Sequence, residues 1–80
     1  METTQSLVAI INSMLAERNK ETISDNSLNL SLREDLGFDS MDLAELAVRI
    51  EAAFGIDVFA GYLPVDLTEI LNILSGEKSG

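Results

Sequence analysis

Apolar residues recur at helical spacing in three separate stretches of the chain. In the central stretch, about residues 40–54, they lie three or four positions apart, as in a helix that faces a core. That stripe consists of Leu43, Leu46, Ala47, Ile50, Ala53 and Phe54. The opposite face mixes apolar and acidic residues: Met41, Ala44, Glu45, Val48, Glu51 and Ala52. Such a face is either a docking surface or an ordinary surface with tolerated apolar residues.

Residue types typical of helix ends flank the central stretch. Asp39 is a good N-cap residue, and Asp42 three positions later gives a weak form of the capping box. Phe38 and Leu43 have the spacing of a hydrophobic staple. Gly55 follows the last periodic residue and can adopt the left-handed conformation that ends a helix. The sequence therefore predicts a helix from about residue 40 to about residue 54.

Two more helices are predicted, one before and one after the central stretch. The first is expected to be capped by Thr3 or Thr4 and to end near Arg18. Its apolar positions are Leu7, Val8, Ile10, Ile11, Met14 and Leu15. The last is expected to begin at Asp66 and to end at Gly76. Its predicted buried stripe is Leu67, Ile70, Leu71 and Leu74.

The connections complete the predicted fold. Residues 19–31 have no helical period and are predicted to form a long loop. Its apolar residues, with Leu32 after it, are expected to pack across the helices: Ile23, Leu28 and Leu30. One short helix or turn is predicted around residues 59–63. The prediction is an all-α fold, a small four-helix bundle of three main helices and one short helix or turn, with a long first loop.

Length and composition limit what such a chain can do. Eighty residues supply one core, so residues 1–80 are predicted to form a single domain, ordered over about 3–75, with a flexible tail at 77–80. The chain has no cysteine and no histidine. We therefore expect no disulfide, no metal site and no enzymatic activity. No apolar run has the length of a membrane span and no signal peptide is visible, so a cytoplasmic monomer is expected.

The charge of the chain is strongly acidic. Fourteen acidic residues against five basic ones give a formal net charge of −9. Nucleic acid and membrane surfaces are therefore not expected as partners, because both require clustered lysine and arginine. Protein partners with basic surfaces are favoured, although acidic residues also confer solubility. Acids are concentrated around Ser40, at Glu34, Asp35, Asp39, Asp42, Glu45, Glu51 and Asp57.

Ser40 allows three interpretations. Use as a catalytic nucleophile is disfavoured, because the chain offers no histidine as a base and Lys20 lies across a loop. Modification is the second interpretation, since a phosphate ester at a helix start meets free N–H groups and the positive end of the helix dipole. Nearby acids would repel that phosphate. The third interpretation is purely structural, because serine is common at helix starts.

The residues around Ser40 resemble a known family. Residues 36–42, LGFDSMD, are similar to the L-G-x-D-S-[LM]-D segment of acyl carrier proteins, and EL at 45–46 and EAAFGI at 51–56 continue the match. The resemblance implies that a phosphopantetheinyl transferase moves 4′-phosphopantetheine from coenzyme A onto Ser40. It implies a set of partner-recognition residues: Asp39, Met41, Asp42, Glu45, Val48 and Glu51.

The function implied by the resemblance is that of an acyl carrier protein. The arm would carry an acyl group as a thioester, in fatty acid or polyketide biosynthesis, and deliver it to acyl-transfer or acyl-loading enzymes with basic docking patches. The chain departs from the family pattern in four places: Phe38 stands where alanine is common, and Ala52 stands where many members have an acid. The segment after Ile56 also lacks the usual acidic run, and the last helix starts with PVDLTE instead of the common T-V-x-D. The cargo is therefore left open. The alternative function is an unmodified acidic helical protein-interaction module, which needs no serine.

Overall fold

Three α-helices make up most of the part of the chain that the computed structural model describes, residues 2–24, 26–59 and 64–75. They are α1 (Glu2–Glu17), α2 (Ser40–Phe54) and α3 (Leu67–Leu74). Within those ranges there is no β-strand, and one isolated bridge pairs Ser31 with Asp66. The predicted all-α helical fold with three main helices is confirmed. The predicted short helix or turn at 59–63, the end at Gly76 and the tail lie mostly or wholly outside the described residues.

The first helix begins earlier than predicted. Thr3 and Thr4 lie inside α1, so neither is its N-cap, because a capping residue requires a non-helical backbone. The predicted end near Arg18 is confirmed. Asn19 takes the left-handed conformation, with φ of 59°, and the Lys20 N–H donates to the Leu15 carbonyl at 2.8 Å. An asparagine at this position ends a helix by the same geometry that glycine usually provides.

The second helix has the predicted bounds and the predicted cap. The Asp42 N–H donates to Asp39 Oδ1 at 2.9 Å, and the Asp39 N–H donates to Asp42 Oδ2 at 3.1 Å, which completes the capping box. At the other end, Gly55 has φ of +74° and its N–H donates to the Glu51 carbonyl at 2.7 Å. Local residue chemistry thus defines both ends of α2.

Buried side chains from all three helices form one core. α1 contacts both α2 and α3. The helical members of the core are Leu7, Val8, Ile11, Met14 and Leu15 of α1, Leu43, Leu46 and Ile50 of α2, and Leu67 and Ile70 of α3. Phe38 is buried as well, as its predicted staple with Leu43 requires. The predicted burial of Ala53 is wrong, because Ala53 lies at the edge of the stripe and the larger Phe54 packs against the core instead.

The long first loop packs on this core. Its apolar residues are half-buried against it, as predicted: Ile23, Leu28 and Leu30. Asn12 of α1 holds the loop by accepting from the Ile23 N–H at 2.8 Å and donating to the Ile23 carbonyl at 2.9 Å. The Thr68 N–H of α3 donates to the Leu28 carbonyl at 3.1 Å. The loop therefore links α1 to the start of α3, and the chain reaches α2 from a fixed direction.

Candidate functional site

Ser40 is the first residue of α2, and its side chain is exposed. Its two neighbours in the capping box, Asp39 and Asp42, bond to one another on either side of it. Since Asp39 is extended and Ser40 is already helical, the backbone at Ser40 is fixed at the point where the chain turns into the helix. The hydroxyl is thus presented to solvent from a rigid position, as the sequence predicted.

The segment that leads into Ser40 is held by Lys20, which follows the end of α1. Lys20 donates from Nζ to the carbonyls of Leu36 at 3.2 Å and Gly37 at 3.3 Å. Gly37 has φ of +75°, and a Cβ atom there would lie 2.6 Å from Lys20 Nζ. The Phe38 N–H donates to the Leu32 carbonyl at 2.9 Å, and the Phe38 ring is buried. Glycine suits position 37 because of its left-handed conformation, whereas the Lys20 ammonium is the end of a flexible side chain that can shift.

The two acids beside Ser40 have different environments. The Asp39 carboxylate is exposed, and the N–H of Asp42 that donates to it lowers the pKa of Asp39 below its ordinary value. Asp42 is buried, with 7% of its surface exposed, and its Oδ1 forms an ion pair with Arg18. Sequence reasoning missed Arg18, because a pair separated by 24 positions leaves no periodic signal in one sequence.

The six predicted recognition residues fall into three groups. Asp39, Met41, Val48 and Glu51 are exposed, with 79% of Met41 and 65% of Val48 accessible. Glu45 is half-buried and is paired with Arg18 and Arg49, and Arg49 also reaches Glu17 of α1 at 3.2 Å. Asp42 is buried in the cap. The exposed face of α2 is therefore apolar in part, with exposed carboxylates near its two ends.

A groove of about 220 Å³ opens beside Ser40. It is lined by Arg33, Ser40, Leu43, Ala44, Ala47 and Phe59. One arginine and an apolar floor next to an exposed hydroxyl fit a group that begins with a phosphate and continues as a mostly uncharged chain. Sequence reasoning also missed Arg33, whose position before the matched motif carried no signal. A larger cavity of about 490 Å³ lies between Leu15 and the first loop, and Ser40 does not line it.

The described residues contain no group of three or more acidic side chains placed to hold a metal ion. They also contain no helix with the length and apolar content needed to cross a bilayer. The site thus consists of a hydroxyl, its capping acids, a groove and a partly apolar helix face.

These features define a class of protein: a small helical bundle that presents an exposed serine at a capped helix start. Comparison with known proteins identifies the family. Residues 5–63 match the family described as the phosphopantetheine attachment site. The chain belongs to this phosphopantetheine-attachment family, whose covalently bound cofactor is 4′-phosphopantetheine.

A curated relative supports the same assignment. Over 45 residues the chain is 38% identical to an acyl carrier protein of Rickettsia bellii (strain OSU 85-389). The match covers 56% of this chain and 56% of the relative, so the chain matches a little over half of that protein's length. No solved structure matches the chain significantly.

Proposed function

We propose that this protein is an acyl carrier protein in which Ser40 bears 4′-phosphopantetheine and the thiol of that arm carries an acyl group as a thioester. The observation that carries the proposal is an exposed serine at the capped start of α2, inside the region that matches the attachment-site family. The similarity to an acyl carrier protein supports an acyl cargo. A role in fatty acid or polyketide synthesis and a cytoplasmic location belong to the same proposal and rest on the family.

The attachment step uses Ser40 as the acceptor. Its Oγ forms a bond to the phosphorus that carries the pantetheine in coenzyme A, the pyrophosphate P–O bond breaks, and adenosine 3′,5′-bisphosphate leaves. The serine proton must go to a base on the transferase, because the chain has no histidine and its nearest carboxylates are hydrogen-bonded in the cap. The cofactor, when bound, supplies the thiol that this cysteine-free chain lacks.

Residues of the groove are suited to hold the base of the arm. Arg33 offers a cation for the phosphodiester, which would otherwise meet mainly the carboxylate of Asp39. Leu43 and Phe59 offer apolar surface to the chain that follows.

The exposed face of α2 is the proposed surface for partner enzymes. Met41 and Val48 supply apolar contacts, and Asp39 and Glu51 supply the charges that attract basic docking patches. We propose that Asp42 and Glu45 contribute indirectly, because arginines of this chain already occupy their carboxylates. The proposed partners are a phosphopantetheinyl transferase and acyl-loading or acyl-transfer enzymes.

The direct test is incubation with coenzyme A, magnesium and a promiscuous phosphopantetheinyl transferase, followed by intact mass measurement. The wild-type protein should gain about 340 Da, the mass of the arm. Ser40→Ala should gain nothing, whereas Ser6→Ala, which removes an exposed serine on α1, should gain the full mass. No gain in the wild type, or an equal gain in Ser40→Ala, would refute the proposal.

The second candidate is an unmodified acidic interaction module, favoured by the exposure of Met41 and Val48 on a helix that also bears the exposed acid Glu51. It predicts that Glu51→Lys abolishes binding to a basic partner while Ser40→Ala leaves binding intact. An acyl carrier instead loses its cargo in Ser40→Ala, so the two functions are separated by that one variant.

A further inference from the structure

We propose that Arg18 is a positioning residue for the modification of Ser40. It holds the Asp42 carboxylate in place from α1, and through Asp42 it keeps the start of α2 formed. The inference rests on the proposed function of Ser40, and it assigns a role to a residue outside the matched motif.

The two oxygens of the Asp42 carboxylate have different partners. Oδ2 accepts the Asp39 N–H at 3.1 Å, which is one half of the capping box. Oδ1 forms the ion pair with Arg18 Nη2. The Asp42 N–H completes the box by donating to Asp39 Oδ1 at 2.9 Å. The cap that fixes Ser40 therefore depends on a side chain whose other oxygen is held by α1.

Arg18 is itself anchored to the end of α1. Its backbone N–H donates to the Leu15 carbonyl at 3.1 Å, and its Nη1 donates to the Met14 carbonyl at 3.4 Å. Nη2 also lies 3.5 Å from Glu45 Oε1, one turn along α2 from Asp42. With 32% of its side chain exposed, Arg18 bridges the two helices from a partly buried position. The last turn of α1 and the first turn of α2 are thus held together at the site.

Burial explains why the cap needs this partner. Asp42 is only 7% exposed, and a buried carboxylate without a counter-charge is unfavourable. If Arg18 is removed, Asp42 can reach water only by leaving its position, which breaks the hydrogen bond to the Asp39 N–H. Arg18 also neutralises one of the two carboxylates beside Ser40, so it reduces their repulsion of an incoming phosphate.

Arg49 provides a matched control. It also joins α1 to α2, by pairing with Glu17 at 3.2 Å and with Glu45, and its side chain is 30% exposed. Its hydrogen bonds and ion pairs go to Ser13, Glu17 and Glu45 rather than to Asp39 or Asp42. Arg49→Gln thus removes the same charge and a similar interhelical link without touching the start of α2.

The test compares Arg18→Gln, Arg18→Lys and Arg49→Gln in two measurements on the full chain. Amide hydrogen exchange reports the cap, through the Asp39 N–H, which donates to Asp42 Oδ2, relative to the Ile50 N–H within α2. In Arg18→Gln the Asp39 amide should exchange about tenfold faster, as expected for loss of a capping hydrogen bond. The transferase kcat/KM should fall by about the same factor. Arg18→Lys should restore most of the amide protection and most of the transferase kcat/KM. Arg49→Gln should leave the exchange ratio and kcat unchanged.

Three results would overturn the inference: an unchanged Asp39 exchange ratio in Arg18→Gln, a kcat/KM no lower than that of Arg49→Gln, or no rescue by lysine. The Asp42→Asn variant provides a second test of the inference, because the asparagine oxygen can still accept the Asp39 N–H but carries no charge. In that background Arg18→Gln should change either measurement by less than about twofold; a tenfold effect there would contradict the role of the pair. A wild-type protein that is not modified at all would instead refute the proposed function.

Discussion

Phe38 gives the sharpest test of how the core supports Ser40. It lies two residues before the serine, and only 2% of it is exposed. Family resemblance suggests alanine at this position, yet here the ring is among the largest fully buried side chains. Phe38→Ala would convert the residue to the family-typical one and leave a cavity beside the staple partner Leu43.

The expected loss of stability in Phe38→Ala follows from the burial of the ring. Replacing a fully buried phenylalanine by alanine costs about 3–5 kcal/mol of unfolding free energy. A chain of this length is expected to have about 4–12 kcal/mol in total, at about 0.05–0.15 kcal/mol per residue. The substitution should therefore remove a large part of the stability. At about 4–8 °C per kcal/mol for a domain of this size, the Tm should fall by at least about 12 °C.

The assay is thermal unfolding followed by far-ultraviolet circular dichroism. Phe54→Ala is the matched control, because it removes the same ring from the far end of α2, where the side chain is only half-buried. Phe54→Ala should lose about half as much unfolding free energy as Phe38→Ala, since the stabilisation scales with the apolar area removed from water. A loss in Phe38→Ala below about 1 kcal/mol, or no larger than in Phe54→Ala, would show that this ring does not support the site as argued.

Three further predictions concern the cap, the helix ends and the docking face. Because the folded-state pKa of Asp39 is lowered, its charge stabilises the protein fully above the ordinary pKa of 3.8 and loses that effect as the pH falls through the lowered value. The Tm of wild type should therefore exceed that of Asp39→Asn at pH 6, and the two should converge below pH 3.8; a constant difference would contradict this. Gly55→Ala should cost about 1–2 kcal/mol for its left-handed backbone. Gly37→Ala should cost slightly more in denaturant titration, because the new methyl group displaces the Lys20 ammonium from the Leu36 and Gly37 carbonyls; equal costs would argue against a contribution from those hydrogen bonds. Met41→Ala should raise KM for the transferase about tenfold with little change in kcat, and an unchanged KM would remove Met41 from the docking face.

The central helix could be predicted from sequence because its signals are local. A capping aspartate, a staple residue before it and a glycine at the end all act within a few positions of the helix that they bound. Asp39, Phe38 and Gly55 are each found in the predicted role. The exposure of Ser40 follows from the same cap, so it could also be predicted from the sequence.

The features that could not be predicted depend on contacts between distant segments. The pairing of Arg18 with Asp42 joins two helices, and the placement of Arg33 beside Ser40 depends on how the first loop returns to α2. Neither of these two features produces a periodic pattern in the sequence. The start of α1 was misplaced for another reason: Thr3 and Thr4 are common capping residues, but capping residues also occur within helices.

The proposed attachment can be located by one measurement on a peptide. Trypsin cleaves after Arg33 and Arg49, and the peptide between them, residues 34–49, contains Ser40 as its only hydroxyl side chain. After incubation with coenzyme A and the transferase, this peptide should be heavier by about 340 Da. The same peptide at its unmodified mass, with the added mass on another peptide or absent, would contradict the account.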